Sequence, residues 1–261
     1  MNEVRTLAPV ETLPGRVIDI VVWGASRPDL FRRTVESFRA HAKTETVRLR
    51  WFLEEGAFDA TLGAEEAAAA WEYGFDGVHV EALRSYGWAM TNAMNRWIRA
   101  PYMFSLEDDW LCLRDLDLDL AVDVLEQHPG VNQLRFNFRK NAAEPNPGLF
   151  VKEYTFPTTR SPVDPIGPPV PPVPVVLINN FHWHFNPGLW RMGFIRPRWR
   201  GARVNVHHHM NSTAALIPTA ARPSADWYAL TLGALTWGPV REPPFFEHLG
   251  RERSVHKAHG L

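Results

Sequence analysis

The sequence predicts an α/β fold: a mostly parallel, Rossmann-like central sheet flanked by helices, followed by a smaller mixed region. Three observations predict it. Near-continuous apolar runs at residues 17–23, 47–53 and 102–106 have the pattern of strands buried on both faces. Segments with apolar residues at helical spacing lie between them, giving the βαβα order of a doubly wound sheet. A chain of 261 residues with 45% hydrophobic content can bury one large core.

Residues 1–15 read as a loose leader. The run Val17-Ile18-Asp19-Ile20-Val21-Val22-Trp23 is the first strand. Gly24-Ala25-Ser26-Arg27 turns the chain, and Pro28 suits the first position of a helix that runs to about His41. Phe31, Val35 and Phe38 give that helix its apolar stripe. The second strand, 47–53, ends in Glu54-Glu55-Gly56. Residues 61–73, rich in alanine, form the next helix, and 78–82 a short third strand. A helix over 87–99 carries Met90, Met94 and Trp97 on one face, and 102–106 is the fourth strand. Residues 116–127 read as helix, although 115–120 alternate like a strand; 131–138 is the fifth strand. Residues 141–174 are too rich in proline for regular helix or central strand and are expected as a long loop. The remainder mixes short strands, aromatic loops and a helix near 226–235. One domain is expected, in three parts: 17–138, a Pro-rich loop at 139–175, and 176–261.

The net charge of −1 excludes a general electrostatic pull towards nucleic acid or acidic membranes. The single cysteine, Cys112, excludes an internal disulfide and fits a reducing compartment. The beginning of the chain lacks the apolar core of a signal peptide, and no segment approaches the ~20 apolar residues of a membrane span. A cytoplasmic protein is expected. Eleven tryptophans are many for this length; aromatic rings serve cores, and they also make platforms for sugars and bases.

The feature that points to chemistry is Glu107-Asp108-Asp109, directly after the fourth strand. Adjacent carboxylates repel one another, and a divalent cation cancels the repulsion. Hard cations such as Mg²⁺ and Mn²⁺ prefer carboxylate oxygens. Open α/β sheets bind ligands at the carboxyl ends of their strands. A metal-bound phosphate substrate is the expectation; the alternative is an aspartate capping the following segment.

The first strand, Ser26-Arg27-Pro28-Asp29-Leu30-Phe31-Arg32-Arg33-Thr34, and Leu106-Glu107-Asp108-Asp109-Trp110 together resemble the nucleotide-sugar half of a GT-A glycosyltransferase of the family-2-like group. The tripeptide is similar to the Glu-Asp-Asp form of the DXD motif. The resemblance covers 17–138 in order and resumes at Asn186-Pro187-Gly188-Leu189 and at 246–250. It implies that Asp109 holds Mn²⁺ or Mg²⁺, that Asp108 faces the ribose or a metal-bound water, and that Glu107 belongs to the same nucleotide site. It implies that 23–28 is the first nucleotide loop, with Trp23 or Arg27 against a base and Ala25 and Ser26 lining it. Glu54 stands where relatives often place an acid for base or ribose, although the commoner pattern there is Asp-Asp-Gly-Ser. Asn95 matches a usual asparagine, but the arginine often before it is Met94 here. His248 resembles a late His-Leu-Gly that supplies a second metal contact, and Arg251 begins a basic tail placed to close over the diphosphate. The donor is expected to be UDP-linked.

Asp226 is the candidate general base, since an inverting transfer needs a carboxylate to take the acceptor's proton; Asp164 is a weaker rival. Phe181, His182, Trp183, His184, Phe185 and Trp190 read as acceptor-side aromatics or as core. Arg191, Arg196, Arg198, Arg200 and Arg203, interleaved with Phe194 and Trp199, suit a polyanionic acceptor, including a hydroxymethylated DNA base, or a solvated basic loop. The acceptor is thus a glycan, a small molecule or modified DNA. The alternatives to transfer are a metal-dependent nucleotidyltransferase or phosphohydrolase, and a binding module without catalysis.

Overall fold

The computed structural model describes residues 13–82, 86–127, 131–136, 151–156, 173–179, 187–196, 234–237 and 244–249. The elements are β1 (Val17–Gly24), α1 (Pro28–His41), β2 (Ala42–Lys43), β3 (Arg48–Ala57), α2 (Ala60–Glu72), β4 (Gly77–Ala82), α3 (Tyr86–Arg96), β5 (Tyr102–Glu107), β6 (Trp110–Cys112), β7 (Leu116–Asp117), α4 (Leu118–Gln127), β8 (Gln133–Phe136), β9 (Val151–Phe156), β10 (Val173–Asn179), β11 (Gly188–Arg191), α5 (Met192–Ile195), β12 (Ala234–Trp237) and β13 (Phe246–His248).

Among the described residues, nine strands form one sheet in the order β4-β3-β1-β5-β11-β8-β12-β10-β9. The first four are parallel. β11 opposes both β5 and β8, so β8 runs the same way as β5, and β12 is parallel to β8. β6 pairs with β13, and β2 with β7. This is the mostly parallel α/β architecture that the sequence predicts.

The apolar runs explain the layers. All eight residues of β1 are buried, as a strand covered on both faces requires. On one face Ile18, Ile20, Val22, Phe104 and Leu106 pack against Phe31, Val35 and Phe38 of α1, Ala69 and Ala70 of α2, and α4. On the other, Val21, Trp23 and Met103 pack against Met90, Ala93 and Met94 of α3 and Met192 and Ile195 of α5. Pro28 opens α1 as expected, and Asp59 caps α2 by accepting from the amides of Thr61 (2.8 Å) and Leu62 (3.0 Å). Asp119 in α4 holds the turn before β3, accepting from Glu45 N (2.6 Å), Val47 N (2.9 Å) and Thr46 Oγ1 (2.6 Å).

Three expectations need correction. β3 does not stop at Leu53 but carries Glu54, Glu55 and Gly56 within it, because β1 and β4 pair with it to that level. The ambiguous stretch at 115–120 is both things: Leu116–Asp117 pairs with β2, and the helix starts at Leu118, with Asp117 Oδ1 accepting from Leu120 N at 2.9 Å. The proline-rich segment contains strand β9 and the start of β10. Pro174 stands opposite Thr155 of β9, and the described pairing of β10 with β12 covers Leu177–Asn179.

Candidate functional site

The acidic tripeptide forms the turn between β5 and β6, at the carboxyl end of the central strands. Its backbone is held from three directions. Asp108 N donates to Trp23 O (3.0 Å), Thr34 Oγ1 of α1 donates to Asp108 O (2.8 Å), and Leu249 N donates to Asp109 O (2.8 Å). The Asp108 and Asp109 side chains are buried. Two such carboxylates need counter-charge, and Arg27 supplies it. Its Nε donates to Asp108 Oδ2 at 3.0 Å, its Nη2 binds Asp108 Oδ1, and its Nη1 donates to Asp109 Oδ2 at 2.7 Å. Burial pushes the Asp108 carboxyl up to about 7, against the pull of Arg27.

His248 arrives from the far end of the chain. β13 pairs antiparallel with β6, setting His248 opposite Trp110. The two rings lie 4.7 Å apart, and His248 Nε2 stands 3.2 Å from Asp109 Oδ2. Burial would raise Asp109, but the His248 hydrogen bond and Arg27 outweigh it and hold its carboxyl below the usual range. The same hydrogen bond raises His248. Trp110 Nε1 donates to Glu107 Oε2 at 2.7 Å.

The loop after β1 is fastened by its amides. Ala25 N donates to Asp108 Oδ2 (3.0 Å), Ser26 N to Glu55 Oε1 (2.8 Å) and Arg27 N to Glu66 Oε2 (2.8 Å). Ser26 takes φ 56°, the left-handed region that turns consecutive amides to one side. A Cβ at Gly24 would overlap the Glu55 and Glu66 carboxyls where they stand, so a side chain there would displace the two acids that hold the loop. Burial first, then the neighbouring Asp108 and Glu55 carboxylates, push the Glu66 carboxyl up to about 10.

The structure thus brings together Ala25, Ser26, Arg27, Glu107, Asp108, Asp109 and His248. It does not bring the side chains of three other expected residues to them. Trp23 is 3% exposed and packed among methionines, with Nε1 donating to Ser105 Oγ at 2.9 Å; its ring offers no free face to a base. Glu54 points to the opposite face of the sheet from Glu55 and meets His79 Nδ1 (2.7 Å) and Trp97 Nε1 (3.2 Å). Asn95 is exposed on α3, and its carbonyl accepts from Arg99 Nη2 at 2.8 Å. Asp226, Asp164, Arg251 and the aromatic stretch 181–185 lie outside the described residues. Glu55 and Glu66 were not expected; the doublet at 54–55 signals an acid, but only the register shows which of the two faces the loop.

Of the arginine cluster, Arg191 Nε donates to Val131 O at 3.2 Å and its Nη2 binds Leu125 O in the last turn of α4. Arg196 Nη2 donates to Met94 O at 2.6 Å, near the end of α3. Both serve carbonyls at or near helix ends rather than presenting a basic surface. Trp190 is fully buried as core. No helix among the described residues is long and apolar enough to cross a membrane.

The donor chemistry suits a hard divalent cation. Asp109 Oδ1 is buried without a hydrogen-bond partner, beside an imidazole. Among the described residues no three acidic, histidine or cysteine side chains form a ready cage.

No family model and no curated protein sequence matches this chain. Solved structures do. The mannosyltransferase PcManGT from Pyrobaculum calidifontis, solved with GDP-Man and Mn²⁺, superposes with a TM-score of 0.53 at 14% identity, over 97% of this chain and 62% of its own. The chain therefore spans about three fifths of that protein. S. aureus TarS 1-349 with UDP-GlcNAc superposes more loosely, with a TM-score of 0.46 at 9% identity, over 94% of this chain and 61% of its own. The likeness to the mannosyltransferase is one of fold: this chain has a GT-A-like mixed sheet.

Proposed function

We propose that the chain is a metal-dependent glycosyltransferase that moves a sugar from a nucleoside-diphosphate sugar, UDP-linked, to an acceptor hydroxyl with inversion. The observation that carries this reading is Asp109. It combines a low carboxyl pKa, an orphaned buried oxygen and a facing imidazole, at the carboxyl end of a strand in a fold shared with a nucleotide-sugar enzyme. Mn²⁺ or Mg²⁺ held by Asp109 and His248 would neutralise the charge of the diphosphate leaving group. Arg27 already lies against both aspartates and is placed to turn its remaining donors to a phosphate. The 24–27 loop, fixed by Glu55, Glu66 and Asp108, lines the nucleotide side. Asp226 is assigned as the base that takes the acceptor proton.

Asp109→Ala should abolish metal-dependent nucleotide binding while the far-ultraviolet dichroism stays native. Unchanged UDP affinity in Mn²⁺ would sink the metal assignment. Asp226→Asn should keep donor binding and lower turnover by roughly 10²–10⁴-fold, the scale of general-base catalysis; near-normal turnover removes Asp226 from the role.

A further inference from the structure

Arg135 lies in the middle of the sheet with no acidic partner among the described residues. It is 2% exposed, and its Nε and Nη1 are sealed from solvent without a hydrogen-bond partner. Burial alone lowers its pKa to about 10, and no charged group among the described residues offsets that. A buried guanidinium without a counter-ion is costly, and such groups normally persist where something completes them.

The register places it. Arg135 is opposite Gly188 of β11, which in turn is opposite Ser105 of β5; on its other side stands Thr236 of β12. Residues in register share a face, so Arg135 is on the face of Ser105 and, one step further along β5, Glu107. Two strand spacings, roughly 10 Å, separate its strand from the strand that ends in the acidic tripeptide. Gly188 has no side chain, so none stands at the register position between Arg135 and Ser105. Arg27 serves the donor half, whereas β8 and β11 follow the acidic turn in the chain.

We propose that Arg135 is an oxyanion-binding residue that receives a carboxylate or phosphate of the acceptor. A guanidinium offers the planar fork that such groups match, and the position lies towards the carboxyl end of β8, where sheets of this kind take their ligands. The assignment to the acceptor rests on the glycosyltransferase reading; the anion site itself does not.

The test uses the full chain in EDTA, with melting temperature followed against inorganic phosphate and, separately, acetate. The wild type should be stabilised by at least one of them, and phosphate alone or both together identifies the anion class. Arg135→Met should melt at or above the wild type without ligand, because an unpaired charge has gone, and should lose the response. Arg135→Gln should raise the apparent anion Kd about tenfold or more, the scale of a charge-assisted hydrogen bond. A wild type that responds to neither anion overturns the proposal, and so does a response that survives in Arg135→Gln. A marked loss of stability in both variants without ligand also overturns it, since the guanidinium would then be holding the chain together. UDP with Mn²⁺ separates the sources: a UDP response kept in Arg135→Gln assigns the anion to the acceptor, and one lost with the phosphate response assigns it to the donor diphosphate. If UDP never binds but the phosphate response still depends on Arg135, the anion site stands and the glycosyltransferase reading fails.

Discussion

His248 and Asp109 are coupled through one hydrogen bond, and the coupling fixes how each responds to pH. His248 is raised by Asp109, so its contribution to stability is complete below the ordinary imidazole value of 6.5 and is lost as pH rises through its elevated folded value. Asp109 is depressed, so its contribution is present above the ordinary carboxylate value of 3.8 and is lost as pH falls through its folded value. The stability difference between wild type and His248→Ala should therefore be largest between those two values and fade at higher pH. Metal affinity should move the other way, rising as His248 gives up its proton, because only the neutral imidazole coordinates. Calorimetric titration of Mn²⁺ across the same pH series checks this, and a pH-independent affinity removes His248 as a ligand. At this scale the sequence was half legible. Asp108 and Asp109 announce themselves as adjacent acids after an apolar strand. Glu54 and Glu55 do not reveal which one serves the loop, since strand neighbours face opposite ways and a one-residue change of register exchanges them. Glu66 sits unmarked in an alanine-rich helix, and Arg135 becomes notable only once its lack of partners is known.

β13 shows what an element can add that local sequence cannot announce. It is three residues long, yet Phe246 is fully buried and packs with Phe38, Phe104 and Phe136, at ring separations of 6.4, 6.4 and 6.3 Å. The same strand delivers His248, two residues on and on the same face, so the core contact at one end of β13 positions the site residue at the other. Phe246→Ala should destabilise the chain by about 3–5 kcal/mol, the range for truncating a buried phenylalanine, and should weaken Mn²⁺ binding along with it. Urea denaturation gives the first figure; a cost below about 1 kcal/mol would mean that β13 is only loosely attached. The longer strands and helices up to residue 127 were legible because their hydrophobic period is sustained, as in α1, where Phe31, Val35 and Phe38 face inward; the two- and three-residue strands β2, β6 and β7 were not. β9 and β10 were not, because proline density argues against strand. The pairing of β9 with β10, which takes in Pro174, belongs to the sheet and not to the segment.

Across the whole molecule, the charged residues singled out above belong to two groups of strands in one sheet. β1, β3 and β5 meet at the acidic turn and the 24–27 loop; β8, β11 and β12 carry Arg135 on one face of the same sheet. If the first group is a donor site, a nucleoside diphosphate and a divalent cation should bind together or hardly at all, because two buried aspartates next to a diphosphate repel it until the cation intervenes. Ligand that binds the native state raises the melting temperature by mass action. A panel of UDP, GDP and their sugars, each with Mn²⁺ and with EDTA, should therefore show a shift in Mn²⁺ that disappears in EDTA. The nucleotide with the largest shift names the donor class. Arg27 competes with the cation for the same oxygens, so Mn²⁺ without nucleotide should stabilise the chain only weakly. A strong shift with nucleoside triphosphates and none with diphosphate sugars would favour nucleotidyl transfer. No shift with any of them would mean that Arg27 is a permanent counter-ion and the acidic turn a structural device, leaving Arg135 as the feature from which function would have to be sought.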